Sequence, residues 1–169
     1  MNDFCAALTY LTNVLYMPHN LILTAIQEEK QNSMYGAGTF QLSSKTIRFR
    51  VAHVTPRKTG QFVAFWEKDK NNKNQPYLYD EAPDLLVVTV CKSDDDFGQF
   101  IFPKKVLLKH AILKSSGTKG KMAMRVYPSW DSPTSKQAIK TQEWQLPYFV
   151  DLRLPKSLLK EKIIELYGL

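Results

Sequence analysis

The sequence predicts an α/β fold, a mixed central sheet flanked by helices. Three observations predict it. Apolar residues recur at helical spacing near both ends of the chain, the middle alternates with a period of two, and the elements run helix, several strands, helix, strand, helices. At 169 residues the chain lies within the roughly 100–200 residues usual for one domain, taken as residues 1–169, and it contains no repeat. A chain of this size buries about two thirds of its unfolded surface, so its core needs no metal or disulfide staple.

Phe4, Leu8, Leu11 and Leu15 are spaced for an amphipathic helix that Pro18 interrupts. The apolar stretch Leu21 to Ile26 is read as an extension of that helical layer. From Lys45 the period changes to two, with Ile47, Phe49 and Val51 alternating with Arg48, Arg50 and Ala52, which predicts a strand with one apolar and one basic face. Thr55 to Gly60 is a turn, Gln61 to Glu67 a central strand, and the polar run Lys68 to Gln75 an exposed loop. Asp84 to Val90 and Gly98 to Phe102 form a hairpin around the turn Lys92 to Asp96. Pro103 suits the first turn of a helix reaching Leu113, with His110 on its packing side. After the Gly/Ser/Lys loop Ser115 to Lys121 comes a strand, Met122 to Tyr127, on which Arg125 and Tyr127 share a face. Ser132 and Pro133 open a helix to Gln145, and the last helix spans Pro155 to Tyr167.

Lys and Arg number 23 against 16 Asp and Glu, a net charge of +7 that favours polyanionic partners. A solvated basic surface accounts for the charge equally well, so the positions of the cations decide. Cys5 and Cys91 stand far apart with no CxxC pair, which fits reduced thiols in a cytosol and neither a disulfide framework nor a zinc site. Met1-Asn2-Asp3-Phe4-Cys5 has no basic lead-in, and no stretch approaches ~18 consecutive apolar residues. A cytoplasmic protein, with no membrane partner, is expected.

Asp84 opens an apolar strand, where an ionised carboxylate needs a partner. Pairing Cys91 with Phe97 across the turn sets Lys104 opposite Asp84, with Phe102 on the same face. A carboxylate on one strand and an acid-x-Lys triplet on the next is the layout of metal-dependent phosphodiester cleavage. Here the triplet reads Phe102-Pro103-Lys104, and phenylalanine ligates no metal. Asp84 and Lys104 are therefore a relic of a catalytic pair or a structural ion pair; no catalytic residue, metal or cofactor is assigned. His19, His53 and His110 are isolated, Cys91 with His110 lacks a cysteine-hydrolase context, and Gly36-Ala37-Gly38 lacks the further glycine and the setting of a dinucleotide loop.

Basic residues interleave with aromatics. Arg48, Arg50, Arg57, Lys58, Lys104, Lys105, Lys109 and Arg125 are expected to contact a nucleic-acid backbone, with Tyr127 and Trp130 as stacking platforms. Lys136 and Lys140 lie one turn apart, with Trp144 one turn beyond. The mixture favours single-stranded DNA or RNA over duplex.

Phe97-Gly98-Gln99-Phe100-Ile101-Phe102-Pro103-Lys104, Arg125-Val126-Tyr127-Pro128-Ser129-Trp130-Asp131, Thr141-Gln142-Glu143-Trp144-Gln145 and Thr55-Pro56-Arg57-Lys58-Thr59-Gly60-Gln61-Phe62 together resemble the MepB family. These segments and their order along the chain cover most of it from about Lys45 to Phe149. The resemblance implies a restriction-endonuclease-like, PD-(D/E)xK-like fold with a degenerate nuclease site, nucleic-acid binding, and a gene beside a multidrug efflux pump and its repressor in some Gram-positive bacteria. Two other functions remain in view. One is a metal-dependent nuclease in which Glu67, Asp80 or Glu81 replaces the missing acid, and the other a protein-interaction module of a drug-response operon.

Overall fold

The computed structural model describes residues 3–93 and 96–169. The first helix, α1 (Phe4–Leu11), is capped by Asp3, whose Oδ1 accepts the Ala6 N–H at 2.8 Å, and it buries Phe4, Ala7, Leu8 and Leu11. A π-helical turn, Thr12–Tyr16, and a 3-10 turn, Met17–His19, prolong it until Asn20 adopts the left-handed conformation. The expected helical extension through Leu21 to Ile26 is a strand instead, β1 (Leu23–Glu28), because Asn20 turns the chain back and β-branched Thr24 and Ile26 suit an edge strand.

The strands that follow are β2 (Gly38–Leu42), β3 (Lys45–Val51), β4 (His53–Val54), β5 (Gln61–Ala64), β6 (Glu67–Lys68), β7 (Asn74–Gln75), β8 (Leu85–Cys91) and β9 (Phe97–Pro103). Then come α2 (Lys104–Lys109), β10 (Ala123–Val126), α3 (Lys136–Gln145), β11 (Phe149–Asp151) and α4 (Lys156–Tyr167). The main sheet runs β1-β2-β3-β8-β9-β11, with β3 and β8 parallel and its other pairs antiparallel. The mixed central sheet that the sequence predicts is therefore present.

The hairpin register also matches: Cys91 faces Phe97, Leu85 faces Pro103, and the Lys104 N–H donates to Asp84 O at 3.0 Å. Asp94 and Asp95, in the middle of the expected turn, lie outside the described residues, as do Met1 and Asn2. Every residue of β8 from Leu85 to Val90 is buried, since both faces of the sheet are covered. On one face Ile47, Phe49, Leu85, Val87 and Ile101 pack against α1 and α4; on the other Leu86, Val88, Phe100 and Phe102 pack under α2 and the small sheet β10-β5-β4. No helix among the described residues is long and apolar enough to cross a membrane.

Four boundaries differ from the sequence expectation. Pro103 ends β9 and stands just before α2, and α2 stops at Lys109 because Ala111 adopts a positive φ of 55°. The strand expected over Gln61 to Glu67 breaks after Ala64 and resumes as the short hairpin β6–β7. Helix α3 begins at Lys136, capped by Ser135, whose Oγ accepts the Ala138 N–H at 3.2 Å, and not at the Ser132-Pro133 pair.

Candidate functional site

Asp84 finds its partner in Thr46 and not in Lys104. Its Oδ2 accepts the Thr46 N–H at 2.9 Å and the Thr46 hydroxyl at 3.0 Å, and that hydroxyl accepts the Asp84 N–H at 3.0 Å. The Thr46 amide, assisted by its hydroxyl and by attraction to Lys45 and Lys104, holds the carboxyl below the usual aspartate range. The Lys104 ammonium lies 4.9 Å from the centre of the Tyr79 ring, a cation–π contact.

Phe102, on the face where a nuclease would carry its second acid, is fully buried, with its ring 5.4 Å from Phe100 and 5.4 Å from Trp144. Asp80 and Glu81 are exposed, and Glu67 accepts a hydrogen bond from Gln75 at 3.4 Å. Burial raises the Glu67 pKa, opposed by Arg48. Among the described residues no three His, Cys, Asp or Glu side chains gather as a metal site.

Arg48 and Arg50 do project from the same face of β3, as their alternation predicts, but that face is internal. The Arg50 side chain is completely buried; it donates to Glu29 Oε2 and Phe49 O at 2.7 Å each, to Tyr77 Oη at 2.6 Å and to Ala64 O at 3.3 Å. The Arg48 guanidinium sits 3.5 Å from the Tyr77 ring centre and bonds Glu29 Oε1 at 3.3 Å. Both arginines are thereby withdrawn from a binding surface. A buried guanidinium needs several acceptors, and the seam supplies them. Glu29 and Tyr77, its other members, carry no periodicity that marks them in the sequence.

Arg57, Lys58, Arg125 and Tyr127, distant in sequence, come together around one groove. One lobe, about 320 Å³, lies between the 55–60 turn, β10 and the start of α3, where Arg57, Lys58, Tyr127 and Ser135 line it. The other, about 350 Å³, continues along β10 and α3 past His110, Lys121, Gln137, Thr141 and Trp144. Arg125, Tyr127, Ser135 and Ala138 border both lobes, and neither lobe is lined by an aspartate or glutamate among the described residues.

Local geometry explains the groove. Beta pairing sets Arg125 of β10 opposite Phe62 of β5, so its side chain reaches the turn that precedes β5. There the guanidinium donates to Thr55 Oγ1 at 2.7 Å, Gly60 O at 3.2 Å and Thr59 O at 3.4 Å, leaving Arg57 and Lys58 exposed at the tip. Gly60 is required: its φ is 78°, and a Cβ there would meet the Tyr127 ring at 2.6 Å. On the opposite wall the buried Gln145 amide accepts the Tyr127 N–H and donates to Arg125 O, both at 2.9 Å, fixing α3 to β10. Gln142 adds bonds to Pro128 O at 3.1 Å and Asp131 O at 2.8 Å.

His110 is not enclosed in the core. Because α2 ends early, its ring stacks on Trp144 at 4.0 Å and 12° and lines the groove, while burial and the neighbouring Lys109 lower its pKa. Lys105 and Lys109 are exposed on α2. Trp130 lies outside the groove, its edge against Phe149 at 5.5 Å and the Arg153 guanidinium 5.4 Å from its centre. The sequence reading missed His110, Lys121 and Gln145 as parts of this site; the Gly/Ser/Lys loop ahead of β10 was the available signal for Lys121.

A family model described as MepB-like matches residues 29–151. A solved structure described as the crystal structure of MepB is 37% identical, with a TM-score of 0.78, covering 88% of this chain and 98% of that one. No curated protein matches.

Proposed function

This chain belongs to the MepB-like family, and from that premise we propose that it is a non-catalytic nucleic-acid-binding protein whose cationic groove holds single-stranded DNA or RNA. The observation that carries the proposal is the convergence of Arg57, Lys58, Lys121 and Arg125 on a groove that no carboxylate among the described residues lines, beside the stacked rings of His110 and Trp144. Cations hold phosphates, and rings accept unstacked bases of any sequence. Exposed Lys105 and Lys109 lengthen the cationic surface next to His110.

The sheet is read as a PD-(D/E)xK-like scaffold with a degenerate site. Supporting that reading, Asp84 leads into β8 opposite Lys104, but Thr46 occupies the aspartate and Phe102 fills the acid position with core. A cytoplasmic location accords with the basic, cysteine-poor composition.

Fluorescence anisotropy of labelled single-stranded RNA, single-stranded DNA and duplex DNA, at low and moderate salt, tests the proposal. Salt-sensitive binding of single strands, tighter than duplex, with probes left intact in Mg²⁺ on a denaturing gel, is the expected result. Mg²⁺-dependent cutting that Asp84→Ala abolishes would replace it with a nuclease. No binding even at low salt would remove nucleic acid as the partner and leave a protein-interaction module.

A further inference from the structure

Resting on the binding reading above, we propose that the groove takes one nucleotide in two parts. The lobe lined by His110 and Trp144 receives an unpaired base, and the lobe lined by Arg57 and Lys58 receives its phosphate.

The two lobes differ in chemistry as a nucleotide does. The first, about 350 Å³, falls within the size range of small-ligand pockets and has a flat ring pair as one wall. A base laid against that wall continues a stack already begun at 4.0 Å and 12°. Burial and Lys109 favour the neutral imidazole, so this wall offers a ring face in preference to a charge. Around the ring pair, the exposed Gln137 amide offers a donor and an acceptor. The Thr141 hydroxyl gives its hydrogen to Gln137 O at 2.9 Å and keeps its lone pairs. Such groups read the base edge that duplex pairing conceals, which favours a single strand.

The second lobe is a phosphate site in composition. Arg57, Lys58 and Thr59 are exposed in a turn pinned from below by Arg125, so the cations are presented on a fixed backbone. Arg125 and Tyr127 border both lobes, which sets the base site and the phosphate site side by side.

Isothermal titration of the full chain with AMP and with ribose 5-phosphate, alongside a short single-stranded RNA, tests the division. AMP is expected to bind about 10-fold tighter than ribose 5-phosphate, the difference being the stacked base. His110→Ala should weaken AMP about 5-fold or more and leave ribose 5-phosphate unchanged. Gln137→Ala, at an exposed helix position that cannot unfold the chain, should weaken AMP alone, whereas Lys58→Glu should weaken both ligands. Equal affinity for the two ligands, or AMP binding indifferent to both His110→Ala and Gln137→Ala, overturns the inference. RNA binding without AMP binding also overturns it and leaves the strand-binding reading standing. AMP binding without RNA binding does the reverse.

Discussion

Arg125 Nη2 donates to Thr55 Oγ1 at 2.7 Å, so a residue of β10 holds the turn that carries Arg57 and Lys58. With Gly60 O and Thr59 O as further acceptors, Arg125 serves the groove as a brace as much as a charge. Arg125→Lys keeps the charge and loses the planar fork. It is expected to lower stability by about 1–3 kcal/mol, read by urea unfolding, and to weaken single-strand binding despite the unchanged net charge. Wild-type affinity in this variant would show that the turn needs no brace.

Lys105 and Lys109 are exposed on α2, and Lys109 adjoins His110 in the groove wall. Lys105→Glu combined with Lys109→Glu should leave stability within about 0.5 kcal/mol and reduce affinity uniformly across probe sequences. Unchanged affinity removes α2 from the surface.

The Asp84 carboxyl is held low by Thr46, so the stability it contributes is fully present above the ordinary aspartate value near 3.9 and is lost as pH falls through the lower folded value. Thr46→Val deletes the hydroxyl that donates to Oδ2 and accepts the Asp84 N–H, and keeps the backbone bond. It should cost about 1–2 kcal/mol at neutral pH, and the difference from wild type should shrink below about pH 4. Chemical unfolding across that range checks it, and a pH-independent difference would contradict the assignment.

Phe102 lies inside an aromatic cluster with Phe100, Trp144 and Tyr148. Phe102→Ala should therefore cost about 3–5 kcal/mol. Phe102→Asp, which restores an acid-x-Lys triplet in sequence, should fail to fold, because it buries a carboxylate among rings. Circular dichroism and thermal unfolding read both; a stable Phe102→Asp protein that cuts single strands with Mg²⁺ would mean that this position opens on a metal site.

Much of this was legible where the signal was local. The pairing of Cys91 with Phe97 followed from turn arithmetic, and burial on both faces followed from the unbroken apolar run of β8. The parity of Arg48 and Arg50 was legible too, but parity names a face without saying what covers it. Glu29, Tyr77 and Ala64, from three other segments, convert that face into a seam. The Leu21 to Ile26 stretch was misread because apolar residues beside a helix carry no mark of the reversal that Asn20 makes. In the groove, Arg57, Lys58, Arg125 and Tyr127 were legible as residue types; His110 was not, since its exposure depends on the stop that Ala111 imposes through a positive φ.

The central claim is that phosphates lie against the tip of the 55–60 turn. The most direct measurement is the salt dependence of single-stranded RNA affinity for the wild type and for Arg57→Glu combined with Lys58→Glu. Each lost phosphate contact lowers the steepness of log affinity against log salt by about 0.7 for single strands, so the double variant should bind weakly with a slope shallower by about 1.4. An unchanged affinity and slope, in a variant that unfolds like the wild type, would contradict the groove as the binding site.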